Sequence, residues 1–144
     1  MPVAVPLAVN EHGRRARVLL VDDDARAVRM LARMLREDGF EADVALDGAG
    51  AIARIAREAV DILVVDFQLP HADGVVVAQY ARSRDPELPV LFVTGYPEIV
   101  ERRKRLLSPS PVVLAKPVAY EALSSAPSDA EAARGARRSS PRLP

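Results

Sequence analysis

Short, strongly apolar runs recur along this chain and alternate with longer stretches in which apolar residues follow helical spacing. Four of them read RVLLV, ILVV, VLFV and VVLA and lie at 17–21, 62–65, 90–93 and 112–115. Strands buried on both faces of a parallel sheet have this continuous apolar character, whereas half-exposed strands alternate between apolar and polar residues. Short strands that alternate with helices are typical of α/β domains. The pattern therefore predicts a parallel sheet covered by helices on both faces.

The stretches between the runs predict four helices and a fifth strand. One helical face ahead of Gly39 carries Val28, Leu31, Ala32 and Leu35. Further helices are indicated by Ile52, Ile55, Ala56 and Ala59, by Val77, Tyr80 and Ala81, and over about 97–107. Residues 40–46 alternate like a strand, and the Asp47–Gly48 pair after them favours a turn. We therefore expect a doubly wound, five-stranded parallel sheet of the α/β class.

The chain has 144 residues, which is enough for one domain with a sizeable core. The alternating pattern starts at Arg17, so residues 1–16 are expected to form a flexible N-terminal arm. The pattern supports one domain over 17–125, in which a short final helix can begin at Pro117 because proline suits the first helical position. Residues 126–144 are rich in Ser, Pro and Arg and are expected to be a disordered tail.

Composition excludes several classes of function. The chain contains no cysteine, which excludes disulfides, thiolate metal sites and thiol catalysis. Lys and Arg together number 20, as do Asp and Glu, so the overall charge gives no reason to expect nucleic acid as a partner. No apolar run approaches the roughly 20 residues that a membrane helix needs, and the start does not resemble a signal peptide. We therefore expect a cytoplasmic protein without a membrane partner.

Polar side chains follow four of the predicted strands. Asp22 and Asp23 follow RVLLV, Asp66 follows ILVV, Thr94 follows VLFV, and Lys116 follows VVLA. Ligands of open α/β sheets bind beyond the carboxyl ends of the strands. If the sheet is parallel, three carboxylates, one hydroxyl and one ammonium face a single crevice. Taken singly, the aspartates and Thr94 could cap a helix or lie in a turn, and Lys116 could be a solvated lysine before a helix. The whole set at one edge is typical of a functional site.

Clustered carboxylates repel one another, so a hard divalent cation is the expected occupant of this crevice. Mg²⁺ fits because it takes one or two carboxylates, keeps several waters and bridges to phosphate oxygens. An Asp carboxylate can act as a nucleophile and form an aspartyl phosphate. The metal and Lys116 would then offset charge on the phosphoryl oxygens, and Thr94 would donate a hydrogen bond to one of them. The set therefore predicts Mg²⁺-dependent phosphoryl chemistry.

Four ordered motifs resemble the receiver domains of two-component response regulators. They are the acidic pair after VLLV, the LVVDxxLP arrangement around Asp66 with Gly74 behind it, the FVTG segment and the AKP tripeptide. The resemblance covers about residues 17–123 and implies a flavodoxin-like fold. It also implies that Asp66 is the phosphoacceptor and that Thr94 and Lys116 hold the phosphoryl group.

The same resemblance implies a metal site and partners. The Mg²⁺ ligands would be Asp23 directly, Asp22 mainly through water, Asp66 through its carboxylate and Gln68 through its backbone carbonyl. The phosphoryl donor would be a phosphohistidine on a sensor histidine kinase or a histidine phosphotransfer protein. The chain would be a stand-alone receiver that signals by docking or in a phosphorelay. It would catalyse only its own phosphorylation and dephosphorylation, so we expect a switch and not an enzyme.

Two departures from the receiver pattern concern how the signal leaves the site. Many receivers have Tyr or Phe three residues before the Lys, whereas this chain has Val113, so the usual aromatic switch is not expected. Tyr96 lies two residues after Thr94, and PVLFVTGY resembles a single-domain subgroup with a PFxFATG(G/Y) segment, from which Val90 and Val93 depart. We hypothesise that the Tyr96 ring shields the phosphoryl group from water.

Two other functions fit part of the sequence. A haloacid-dehalogenase-type phosphatase also uses an Asp nucleophile at a strand end, and Asp22 and Asp24 have its DxD spacing. Arg26 stands where that family has Thr or Val, and no acidic pair follows a strand beyond Lys116. A pseudo-receiver would keep the fold as a protein-binding module without the chemistry. Asp24 alone is better explained as the cap of the first helix, since Asp is a favoured N-cap residue.

Overall fold

Strands and helices alternate through the part of the chain that the computed structural model describes, residues 9–69, 72–103 and 107–116. In chain order the elements are β1 (Arg17–Val21), α1 (Ala25–Glu37), β2 (Glu41–Ala45), α2 (Gly48–Arg57), β3 (Ile62–Asp66), β4 (Gln68–Leu69), β5 (Ala72–Asp73), α3 (Gly74–Arg84), β6 (Val90–Thr94), α4 (Pro97–Arg103) and β7 (Val112–Ala115). The five segments predicted as strands form β1, β2, β3, β6 and β7.

These five strands make one parallel sheet in the order β2-β1-β3-β6-β7. β1 pairs with both β2 and β3, β3 pairs with β6, and β7 pairs with β6 at the edge. The strand order reverses direction between β1 and β3. Asp22 directly follows β1, and Asp66 is the last residue of β3. Ligands of open α/β sheets bind in the crevice at such a switch point. The predicted doubly wound, five-stranded α/β fold is confirmed.

Each face of the sheet packs into its own apolar layer. One layer joins Leu19, Leu63 and Phe92 of the sheet to residues of α2 and α3. The other joins Leu20 and Val64 to residues of α1. Neighbouring residues of a strand point to opposite faces, so a strand covered on both faces must be apolar at every position. This double burial is the physical reason for the continuous apolar runs in the sequence.

Aspartate side chains determine where three helices begin. The carboxylates of Asp24, Asp47 and Asp73 each accept a hydrogen bond from a backbone N–H in the first turn of α1, α2 and α3. Such bonds satisfy N–H groups that have no partner within the helix. The interpretation of Asp24 as a helix cap is confirmed, and the Asp47–Gly48 pair turns the chain directly into α2. Beyond the end of α1, Gly39 adopts a φ of 98°, which favours glycine.

The buried face of α2 differs from the face that apolar spacing predicted. Its buried residues are Gly48, Ala51 and Ile55, whereas Ala56 is exposed and Ala59 lies beyond the end of the helix. The prediction of a helix here is confirmed, and its predicted face is right at Ile55 but wrong at Ala56 and Ala59. Small residues occur all around this helix, and alanine contributes too little apolar area for spacing alone to define one face.

Helix α4 spans Pro97–Arg103, whereas helical spacing predicted about 97–107. Residues 104–106 lie outside the described ranges, and Leu107 is a buried residue of the bend that follows. Pro109 and Pro111 disfavour helical backbone in the residues before them, which is consistent with an irregular connection into β7.

Residues 9–16, which the sequence assigned to the N-terminal arm, form a turn ahead of β1. Val9 and Arg15 make an antiparallel bridge, and the side-chain oxygen of Asn10 accepts two hydrogen bonds from backbone N–H groups within the turn. Ala16 is buried. The last part of the assigned arm therefore packs against the sheet.

Several sequence-based predictions lie outside the described residues. These are the conformation of residues 1–8, the helix from Pro117 and the tail at 126–144. The limits of the domain at 17–125 stay a prediction. Among the helices of the described ranges, none combines the length and the apolar character needed to cross a membrane.

Candidate functional site

The Asp66 carboxylate lies at the carboxyl end of β3, next to the switch point of the sheet. Its side chain is only 8% exposed. Oδ2 accepts a hydrogen bond from Lys116 Nζ at 2.8 Å, and Oδ1 accepts one from the backbone N–H of Gln68 at 3.0 Å. A strand-end aspartate with a cationic neighbour and one edge toward the crevice is placed to act as a nucleophile or a ligand.

Burial and charge act in opposite directions on this pair. Burial raises the pKa of Asp66 above its usual value, and the negative charge of Asp22 adds to the rise, although the hydrogen bonds from Lys116 and Gln68 oppose it. For Lys116, burial lowers the pKa, but the bonds and charges of Asp66 and Asp22 outweigh that effect and raise it overall. The side chain of Lys116 is therefore protonated at neutral pH.

Three carboxylates converge at the switch point. Asp22, Asp23 and Asp66 each offer one oxygen, and these oxygens all lie within 4.8 Å of one another. Asp22 is half-buried and Asp23 is exposed. Lys116 Nζ lies 3.2 Å from Asp22 Oδ2 as well as 2.8 Å from Asp66 Oδ2. A single ammonium therefore bridges two of the three acids.

The donor set of this cluster fits a hard divalent cation. All its side-chain donors are carboxylate oxygens, which Mg²⁺ prefers over nitrogen or sulfur. With all three acids ionised, their three negative charges and the one positive charge of Lys116 leave two negative charges. A divalent cation would balance them. The exposed carboxylate of Asp23 leaves the cluster accessible from solvent.

Thr94 and Lys116 are held side by side by the pairing of β6 with β7. Thr94 is opposite Ala115, and the backbone N–H of Lys116 donates to the Thr94 carbonyl at 2.7 Å. The Thr94 hydroxyl oxygen accepts a hydrogen bond from the backbone N–H of Tyr96 at 2.9 Å. The hydroxyl keeps its own hydrogen, which is still available for a further hydrogen bond.

The structure brings the predicted site residues to one edge of the sheet. Asp22, Asp23, Asp66 and Lys116 form one cluster, and Thr94 ends the neighbouring strand. Sequence reasoning missed two contacts. Lys116 also pairs with Asp22, and Gln68 donates its N–H to Asp66. The role of the Gln68 carbonyl as a metal ligand stays a prediction.

Val113 occupies the β7 position where many receivers have an aromatic residue. It is half-buried, pairs with Phe92 in the sheet and packs against the layer that faces α2 and α3. Two buried aromatic rings of this layer, those of Phe67 and Phe92, meet edge to face with 5.8 Å between ring centroids. Both rings are buried, so neither presents a surface to a partner.

Gly74 allows α3 to begin directly against the end of β3. A Cβ added at Gly74 would lie 2.9 Å from Phe67 Cα and would overlap the Asp66 carbonyl. These neighbours are backbone atoms, which cannot move aside without displacing the strand end that carries Asp66. The glycine in the receiver-like motif thus has a steric explanation.

Replacement of Gly74 by alanine should lower the free energy of unfolding by about 2–4 kcal/mol, because the backbone of β3 or α3 must shift to relieve the overlap. Urea unfolding followed by circular dichroism measures the change. Gly95→Ala is the matched control, since a Cβ there meets nothing within 4 Å. It should change stability by less than about 0.5 kcal/mol. Equal stabilities of the two variants would contradict the steric explanation.

In a comparison with protein families, the response regulator receiver domain matches residues 18–127. The transcriptional regulatory protein TrcR of Mycobacterium tuberculosis is 34% identical over 111 residues, which are 77% of this chain and 43% of TrcR. The response regulator MprA of Mycobacterium leprae is 36% identical over 107 residues, which are 74% of this chain and 47% of MprA. The chain spans less than half the length of either relative.

The relative TrcR is relevant to the prediction that nucleic acid is not a partner of this chain. Because this relative is a transcriptional regulatory protein, the comparisons do not support the expectation that nucleic acid is absent from the partners.

Solved structures show the same fold. A CheY-like receiver domain protein from Methanospirillum hungatei superposes with a TM-score of 0.77 at 23% identity, covering 85% of this chain and 98% of that one. A response regulator receiver protein from Sinorhizobium medicae gives a TM-score of 0.75 at 29% identity, covering 83% of this chain and 96% of that one. Because the receiver-domain match covers residues 18–127, most of this chain, the chain belongs to the family of response-regulator receiver domains.

Proposed function

We propose that Asp66 accepts a phosphoryl group from a phosphohistidine of a sensor histidine kinase or a histidine phosphotransfer protein. The observation that carries the proposal is the buried Asp66 carboxylate, whose Oδ2 lies 2.8 Å from Lys116 Nζ beside two further carboxylates. Such an arrangement has a cation in place for the extra negative charge that a phosphoryl group brings. Membership of the receiver family supports the same role.

The proposed reaction moves one phosphoryl group between two side chains. An oxygen of Asp66 attacks the phosphorus atom, and the bond between phosphorus and the donor's histidine nitrogen breaks. The nitrogen keeps the electron pair of that bond, and an aspartyl phosphate forms. The Lys116 ammonium offsets charge on the phosphoryl oxygens, and the Thr94 hydroxyl donates a hydrogen bond to one of them.

We propose Mg²⁺ as the cation of this site. Its ligands would be the carboxylates of Asp22, Asp23 and Asp66 and the backbone carbonyl of Gln68. When bound, the ion would supply further positive charge for the phosphoryl oxygens. Asp22 would then have two cationic neighbours, since it already lies 3.2 Å from Lys116 Nζ.

The proposed role is that of a switch that signals by docking or in a phosphorelay, and not that of a turnover enzyme. Asp66 and the phosphoryl group would form a covalent product that persists as the signal. Receiver-family membership gives the haloacid-dehalogenase-type phosphatase no support. A pseudo-receiver would share the fold but would gain no phosphoryl group, so phosphorylation by acetyl phosphate distinguishes it from the proposed switch.

Acetyl phosphate tests the proposal without knowledge of the kinase. The chain is incubated with acetyl phosphate and Mg²⁺, and its intact mass is measured. We expect a gain of one phosphoryl group that requires Mg²⁺ and is lost when a chelator is added first. Reduction with borohydride followed by peptide mapping should place the modification at Asp66. A chain that gains no phosphoryl group from acetyl phosphate or from phosphoramidate would contradict the proposal.

The Tyr96 hypothesis predicts the lifetime of the aspartyl phosphate. Tyr96 is 55% exposed and lies directly before α4, beside the Thr94 hydroxyl that its N–H contacts. Tyr96→Ala should shorten the lifetime about threefold or more, because water then approaches the phosphoryl group more freely. Loss of label after removal of acetyl phosphate measures it. Ile99→Ala is the matched control, since Ile99 is 48% exposed on α4. An unchanged lifetime in Tyr96→Ala would make the shielding hypothesis wrong.

A further inference from the structure

Arg82 is a buried cation on α3, and its exposed fraction is 8%. Its Nε donates a hydrogen bond to the Leu88 carbonyl at 2.6 Å, and its Nη1 donates one to the Pro109 carbonyl at 2.7 Å. Hydrogen bonds from a charged donor are about twice as strong as neutral ones. The planar guanidinium fixes the directions of both bonds. Arg82 therefore holds two backbone carbonyls at a set separation.

These carbonyls belong to the connections that lead into β6 and β7. Leu88 lies shortly before β6, and Pro109 lies shortly before β7. At the other end of the same two strands, the Lys116 N–H donates to the Thr94 carbonyl at 2.7 Å. Arg82 thus joins the amino ends of the strands whose carboxyl ends present Thr94 and Lys116.

Of the five strands of the described sheet, β7 depends most on such a tie. Every residue of β6 is buried, whereas the residues of β7 are half-buried or exposed. Within the described part of the chain, β7 is also an edge strand and pairs with β6 alone. Segments with few buried apolar contacts and exposed backbone open locally at a small cost in free energy. The position of Lys116 therefore depends on how well β7 is held.

We infer that Arg82 is a positioning residue that holds β7 against β6 and so sets where Lys116 Nζ meets Asp66. The inference rests on the proposed function, because the position of Lys116 affects a reaction rate only if Asp66 accepts a phosphoryl group. A displacement of about 1 Å from a residue outside the site can slow a reaction about 100-fold. The carboxylates of the acidic cluster lie at the ends of β1 and β3, which this tie does not hold.

Arg82→Gln removes the charge and the paired donors but leaves a polar side chain. We expect the rate of phosphorylation by acetyl phosphate to fall about tenfold, while the Mg²⁺ dissociation constant from calorimetry changes less than about twofold. Arg82→Lys keeps the charge but has no fork for both carbonyls, and it should show a milder form of the same split. Arg84→Gln is the matched control, because Arg84 is exposed on the same helix. It should leave the phosphorylation rate and the Mg²⁺ dissociation constant unchanged.

A double variant shows whether Arg82 acts through Lys116. In a Lys116→Met background, Arg82→Gln should change the phosphorylation rate by less than about twofold, because the side chain that it positions is gone. A full additional loss of rate in that background would overturn the inference.

Hydrogen exchange gives a readout that does not require phosphorylation. Arg82→Gln should speed exchange of the Lys116 amide about fivefold or more relative to that of Phe67, whose N–H donates to the Val93 carbonyl between β3 and β6. Unchanged rate and exchange would overturn the inference, and so would a Mg²⁺ dissociation constant that rises in step with the loss of rate. A wild-type chain that gains no phosphoryl group contradicts the proposed function instead, and exchange at Lys116 still decides whether Arg82 holds β7.

Discussion

Asp66→Asn is expected to abolish phosphorylation by acetyl phosphate, so that the intact mass stays that of the unmodified chain. The amide has no anionic oxygen to attack phosphorus. The other two carboxylates of the cluster lie after a different strand and are not expected to replace it as the acceptor. Asp22 and Asp23 follow β1, and Asp22 already pairs with Lys116. The variant should also bind Mg²⁺ about tenfold or more weakly, because one of three clustered carboxylates is lost.

The same variant should remain folded, which makes its loss of phosphorylation informative. The pKa of Asp66 lies above its usual value, chiefly because of burial. Because the pKa is raised, the folded state holds this proton more tightly than the unfolded state does. The free energy of unfolding therefore falls as the pH rises from the usual pKa of Asp to the raised one. Asn cannot ionise, and Lys116 keeps Asp22 as an anionic partner at 3.2 Å, so the variant should remain folded at neutral pH.

Asp61→Asn is the matched control for Asp66→Asn. Asp61 directly precedes β3 at the opposite edge of the sheet, where its Oδ2 accepts a hydrogen bond from the Arg17 N–H at 2.8 Å. The amide oxygen of Asn can still accept that bond. The control should gain a phosphoryl group like the wild type. A phosphoryl group on Asp66→Asn in the same amount as on the control would show that Asp66 is not the acceptor.

Lys116→Met should slow phosphorylation by acetyl phosphate about 10²–10³-fold. Its ammonium lies 2.8 Å from Asp66 Oδ2, in a site where burial strengthens electrostatic contacts. Removal of one preorganised donor to a developing anion typically slows a reaction by this factor. Mg²⁺ affinity should stay the same or rise, because the three carboxylates lose the cation that now offsets them. Stopped reactions analysed by intact mass give the rate, and calorimetry gives the affinity.

Arg33→Met is the control for the loss of one positive charge. Arg33 is on α1, where its side chain is 81% exposed and contributes little through its pair with Glu37. Its phosphorylation rate should match that of the wild type. If Lys116→Met reacted at the same rate as this control, the ammonium would have no role in the transfer. If Mg²⁺ affinity fell together with the rate, the effect of Lys116 would come through the metal and not through the phosphoryl group.

The sequence alone was enough to predict the fold class and the residues that make up the candidate site. Double burial of a parallel strand requires a continuous apolar run, and the first polar residue after each run marks the carboxyl end of a strand. Asp22, Asp66, Thr94 and Lys116 all occupy such positions. In a parallel sheet these ends share one edge, so the order of residues along the chain already implied the crevice. The Asp24 cap could be predicted for a similar reason, since helix capping is local.

The tertiary structure decided what depends on the distance between segments far apart in the chain. The bridge from Lys116 to both Asp22 and Asp66 requires β7 to lie at its observed register, which no local pattern encodes. The same holds for Arg82, whose partners lie in two separate loops. The buried face of α2 followed from packing against α3 and the sheet, because its small residues left the choice of face to its neighbours.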